Sequence, residues 1–154
     1  MNTEASRLAR TFRRNLDLIA RCAEGVPEAA AHLRAGEGSS LNWVVGHCLA
    51  SRTRLLETLD VPSDGEGVRA RYGVGTLPDP ANALPLPDLL TRLEEAQTQL
   101  ENVLPDADLT LLIESPFGAQ SLAELLDYFA WHEATHAGQL AVLRRVSGLP
   151  SAEG

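Results

Sequence analysis

The chain of 154 residues contains no lysine; all 13 of its basic residues are arginine. That absence rules out Schiff-base chemistry on a lysine side chain. It also rules out a P-loop, whose phosphate-gripping lysine is missing. Aromatic residues are scarce at 5%, while Ala, Leu and Arg are abundant, a balance that favours helix. The only cysteines, Cys22 and Cys48, each fall within a helical pattern and are expected as reduced, buried thiols rather than a bridge. No apolar run approaches membrane-spanning length, and Arg and Glu occupy the N-terminal stretch where a signal peptide needs apolar residues. No membrane contact and a cytoplasmic location are therefore expected. A basic surplus is lacking as well: the net charge is −8, so no nucleic-acid surface is expected. The arginines clustered at Arg7, Arg10, Arg13 and Arg14 are interleaved with Glu4 and Asp17 and lie opposite Leu8, Phe12 and Ile19, the pattern of a solvated helix face.

What is present is helical patterning in four stretches, enough for a single domain over residues 1–154 with its own core. The first stretch runs from Thr3 to Glu24, with Leu8, Phe12, Leu16 and Ile19 at helical spacing, and ends at Gly25 and Pro27. The second starts at the N-cap candidates Ser39 and Ser40 and reaches Leu59, with Leu41, Val44, Cys48, Leu55 and Leu59 as its apolar stripe. The third opens at Pro87 and Asp88 and stops at Pro105; the fourth opens at Ser121 with Glu124 as a capping box and closes at Gly148 and Pro150. The connection from Asp60 to Leu86 is rich in Gly and Pro, and a connection that long either crosses a bundle or covers a site. The connection from Pro105 to Gln120 has room for an extended piece at Leu111 to Ile113. The fold class expected is all-α, a four-helix bundle with a long crossover between its second and third helices.

The fourth stretch carries the chemistry. Wound as a helix, its Leu122, Leu125, Phe129, Leu140 and Leu143 form one stripe, and His132 and His136 fall inside it, one turn apart. Imidazoles facing a core are costly unless their nitrogens are satisfied, and an i, i+4 pair aims both rings at one point, where a divalent metal is the usual occupant. His132-Glu-Ala-Thr-His136 also matches the H-E-x-x-H pattern of zinc proteases, in which the glutamate holds the attacking water. Glu133 is accordingly a candidate catalytic base, or else a buried partner for Arg52 or Arg144. A peptidase cleft needs strands that this pattern does not supply. Two ligands are too few for a catalytic metal, which takes three and keeps one position open. His47, at the edge of the second stripe with Trp43 and Ser51 a turn to either side, and Glu114 are both candidates for the third; His32 reads as a junction histidine.

The segments Leu41-Asn-Trp-Val-Val-Gly-His47-Cys-Leu-Ala-Ser-Arg and His132-Glu-Ala-Thr-His136-Ala-Gly-Gln-Leu-Ala-Val-Leu-Arg-Arg resemble the second- and fourth-helix motifs of the DinB-like (damage-inducible) bundle family. The resemblance covers nearly the whole chain. It implies a four-helix bundle in which His47, His132 and His136 bind one divalent metal. It further implies a thiol-cofactor-dependent transferase, or a hydrolase, acting on a small molecule. The family pattern does not require Glu133. Three imidazoles suit zinc, nickel or iron, and a low-molecular-weight thiol is the co-substrate the resemblance implies. The other reading is a noncatalytic metal-binding or stress-associated bundle protein, whose site would be coordinatively closed. A homodimer is expected, because Leu126, Ala130, Leu18 and Ala20 widen the apolar bands beyond a single seam.

Overall fold

The computed structural model describes residues 2–152. Its elements are α1 (Thr3–Ala23), the single turn α2 (Glu28–Ala31), α3 (Leu41–Thr58), α4 (Gly65–Tyr72) and α5 (Leu86–Val103), then a 3-10 turn at Leu104–Asp106, the strands β1 (Leu112–Ser115) and β2 (Gly118–Ser121), and α6 (Leu122–Val146). The fold is mostly helical. The long helices begin where the sequence has oxygen-bearing caps: Asn2 accepts from the Glu4 and Ala5 amides, Ser40 from Trp43, and Ser121 and Glu124 bond reciprocally across the first turn of α6. α5 lacks such a residue before it, and Glu28 of α2 accepts from its first amide, Leu86 N, at 3.1 Å. At its far end α1 leaves carbonyls without helical partners, and the Arg144 guanidinium reaches over from α6 to donate to Arg21, Cys22 and Glu24.

α1 packs on α5 and α6, and α3 packs on the same two helices from the other side. Two apolar clusters result. One joins Leu16, Ile19 and Cys22 of α1 to Val44, Val45 and Cys48 of α3, Leu89 and Leu93 of α5, and Ala137 and Leu140 of α6. The other joins Leu8 and Phe12 to Leu55 and Leu56, Ala96 and Leu100, and Leu126 and Ala130. The early residues of both α3 and α5 lie in the first cluster and their late residues in the second, so these neighbours run the same way, while α6 runs against them. Between the clusters lies a polar layer to which all four long helices contribute: Asn15, Arg52, Gln97 and Glu133, each 9% exposed or less.

Two connections differ from their expected form. The stretch from Asp60 to Leu86 contains α4, whose two glycines depress its helix propensity; burial of Val68 and Tyr72 against α3 forms it anyway. The extended piece expected at Leu111 to Ile113 is β1, which starts one residue later and runs on to Ser115 as one arm of an antiparallel hairpin, with Leu112 opposite Ser121 and Ser115 opposite Gly118. Leu126 and Ala130, which suggested a partner helix, are buried in the core of this one chain, and Leu18 packs partly against it. Ala20, the fourth residue of the apolar band that pointed to a homodimer, is exposed. No disulfide joins Cys22 and Cys48, both buried, and among the described residues no helix is long and apolar enough to cross a membrane.

Candidate metal centre

The buried line of α6 passes through Leu126, Ala130, Glu133, Ala137 and Leu140. His132 and His136 stand on its flank, half-buried, rather than inside it. There they meet His47 of α3, which is only 6% exposed and so lies deeper than the edge of its stripe suggested. The ring centroids lie 5.3 Å apart for His47 and His132, 4.8 Å for His47 and His136, and 4.5 Å for His132 and His136. One nitrogen from each ring falls within 4.8 Å of the other two, and no fourth His, Cys, Asp or Glu joins the group among the described residues.

Neighbours fix the tautomers. His47 Nδ1 sits 2.8 Å from the Tyr72 carbonyl oxygen, which can only accept, so Nδ1 carries the proton and Nε2 is left with a lone pair. His136 Nδ1 sits 3.0 Å from Gln139 Oε1 with the same consequence. His132 Nε2 and His136 Nε2 face each other at 3.2 Å, close to the roughly 3.3 Å between two ligands held about 2.0–2.1 Å from a tetrahedral ion. His132 Nδ1 is buried without a hydrogen-bond partner among the described residues. Burial pushes His132 down to about 4, helped by the two neighbouring imidazoles, and burial likewise lowers His47. Both are thus neutral at physiological pH, the form that binds metal. Donor type, spacing and protonation state all fit one divalent ion.

The surroundings of His47 explain its sequence context. The Trp43 indole, one turn before it, stacks on the imidazole at 4.8 Å with a 9° interplanar angle, and its Nε1 donates to Thr76 Oγ1. Tyr72 packs its ring against Gly46, where a Cβ would collide with the ring carbons. The Tyr72 hydroxyl donates to Asn42 Oδ1 and accepts from Leu84 N, so the ring cannot swing aside. Gly46 is therefore what lets the Tyr72 carbonyl reach His47. We expect Gly46→Ala to displace Tyr72, destabilise the fold by about 1–3 kcal/mol and weaken metal binding roughly 10–100-fold, the usual result of losing an outer partner of a ligand. Calorimetric metal titration beside a melting curve checks this, and unchanged affinity would show that Tyr72 does not orient His47.

Glu133 does not join the histidines. Arg52 Nε donates to its Oε2 at 2.7 Å and Arg52 Nη2 to its Oε1 at 2.9 Å, with both side chains almost fully buried. Of its two sequence roles, catalytic base or arginine partner, the structure displays the second, with Arg52 rather than Arg144. Arg52 also donates to Gln97 Oε1 and to the Phe12 carbonyl. His32 pairs with Glu28 at 3.2 Å at the end of α2, away from the cluster. Glu114 lines a cleft of about 470 Å³ that opens beside His47 and His132, between α3, α6, the hairpin and the end of α4.

The fold and the site together define a mostly helical protein that gathers three histidines from two helices beside a largely apolar cleft. The sequence pattern of the DinB superfamily matches residues 11–140, and the chain belongs to that superfamily. No curated protein matches it. Tyr72 escaped the sequence reading as part of the site, whereas Gly46 and Gln139 stood inside the two quoted motifs without a role assigned to them.

Proposed function

We propose that the protein is a metal-dependent enzyme acting on a small molecule, a thiol-cofactor-dependent transferase or a hydrolase. In this reading α1, α3, α5 and α6 form a four-helix bundle and the connection from α3 to α5 is its crossover. His47, His132 and His136 would hold the ion; zinc, nickel and iron all suit this donor set. Such an ion stabilises the deprotonated form of a nucleophile, thiol or water, at neutral pH. The remaining work belongs to the chain. The Tyr72 carbonyl and Gln139 keep Nε2 of His47 and His136 free to ligate. Trp43 covers one face of His47, and the cleft receives the substrate beside the histidines. Glu133, with both oxygens accepting from Arg52, is read as a positioning residue for α6 and not as the base.

The observation that carries the proposal is the three-ligand set beside a cleft. A structural site is closed by a fourth protein ligand, whereas a catalytic one keeps a position open. Incubating the metal-loaded protein with monobromobimane and a panel of low-molecular-weight thiols tests it. Accelerated thioether formation with one of the thiols, abolished by chelator, is the expected result. Chelator-sensitive ester hydrolysis with no thiol dependence would select the hydrolase branch, and no metal-dependent rate with either would favour the noncatalytic reading.

A further inference from the structure

We propose that the cleft beside the three histidines is shaped for a small molecule with an apolar body and a single carboxylate, and that Arg54 receives the carboxylate. This deepens the reading above and rests on it only for which end of the ligand reacts. One face of α3 presents His47, Ser51 and Arg54 to the cleft in succession. Seven residues of helix separate His47 from Arg54, about 10 Å along the axis. α6 runs the other way and supplies His132 at the histidine end and Leu125 at the Arg54 end. His47 and His132 thus lie about two helical turns from Arg54 along one trough.

Charge decides the ligand class. Acidic residues outnumber arginines 21 to 13 in this chain, and Arg69, the other arginine at the cleft, is held 3.0 Å from Glu57. Arg54 is exposed and makes no ion pair among the described residues. A guanidinium left open in an acidic protein, at the rim of a cavity, is a ready site for bidentate carboxylate binding. Glu114, which faces the same cleft from β1, repels a second negative charge and so favours a monoanion over a dianion. Between the histidines and Arg54 the walls are mostly apolar: Ile113, Leu125 and Phe129 line the interior, while Val74 and Phe117, the latter with its ring centroid 5.5 Å from that of Tyr128, stand at 89% and 75% exposure and offer cover for an apolar ligand. The volume of about 470 Å³ lies within the range of small-molecule sites.

Calorimetric titration with 6-phenylhexanoate and its uncharged amide, 6-phenylhexanamide, tests the assignment. Metal-free protein is the primary sample, because a bound ion would itself attract the carboxylate. We expect the acid to bind about tenfold more tightly than the amide. Arg54→Gln should erase that preference without changing amide binding, Arg54→Lys should keep part of it, and Glu114→Gln should strengthen acid binding a few-fold. Arg54 is exposed and unpaired, so these substitutions leave folding intact. Equal binding of acid and amide by the unaltered protein, the same preference in Arg54→Gln, or an acid preference that appears only with zinc loaded would each overturn the proposal. If the protein bound no zinc but kept the Arg54-dependent preference, the metal reading alone would fall.

Discussion

Replacing Glu133 by alanine will destabilise the protein by about 3–5 kcal/mol, because it strands the Arg52 guanidinium as an unpaired charge in the core. For a chain of this size the melting temperature should fall by on the order of 10 °C. Arg52 is only 1% exposed, so it has no route to water without unfolding its surroundings. Glu133→Gln keeps the shape and one acceptor and should lose markedly less. The double replacement Arg52→Met with Glu133→Leu removes both charges together and should come close to the original stability, as buried pairs replaced by apolar groups often do. Urea denaturation of the three variants separates these cases; an alanine variant within 1 kcal/mol of the parent would show that the pair carries no weight. Glu133→Gln should also keep its metal and a substantial part of its activity. A loss of several orders of magnitude with metal still bound would restore Glu133 as the base of a water-activating hydrolase.

The second large effect concerns the histidines. His132→Ala and His136→Ala should each abolish stoichiometric binding of one divalent ion, measured by elemental analysis after dialysis, and His47→Ala should do the same. If His47→Ala kept full occupancy, the three-histidine set would be wrong and Glu114, at the same cleft, would be the next ligand to test. Folding should survive all of these changes. The two apolar clusters bury large side chains from every long helix independently of the histidines, unlike a zinc finger, which needs its metal to fold. Chelator should therefore leave the helical circular dichroism intact and lower the melting point only by the linkage contribution, about 2.7 kcal/mol when free metal stands at 100 times its dissociation constant.

The four long helices were legible because their caps and breakers are local signals: Ser40, the Ser121 and Glu124 pair, and Gly148 act within a turn or two of where they sit. The histidine pair was legible for the same reason, since helical spacing alone puts His132 beside His136. The core face of α6 was legible at its two ends, where Leu122, Leu125, Leu140 and Leu143 of the expected stripe are buried. Its middle was not: Phe129 is only half-buried, and there the helix approaches its neighbours through small residues, Ala130 and Ala137, with Glu133 between them. An alanine at a close approach and an alanine on the surface look alike in sequence, and a glutamate becomes a core residue only when an arginine from another helix meets it. The Tyr72 carbonyl was equally invisible, because every residue carries one and only tertiary contact selects it. α4 and the second arm of the hairpin were hidden for a different reason: each is too short for periodicity to show, and packing forms them.

The indole stacked on His47 makes the site optically addressable. Of the chain's two tryptophans, Trp131 is 63% exposed and emits as a solvated fluorophore, while Trp43 lies flat against a histidine of the cluster with its N–H committed to Thr76. Whatever alters the charge on that imidazole alters the environment of Trp43. The protein thus carries its own signal for the state of His47, without a label.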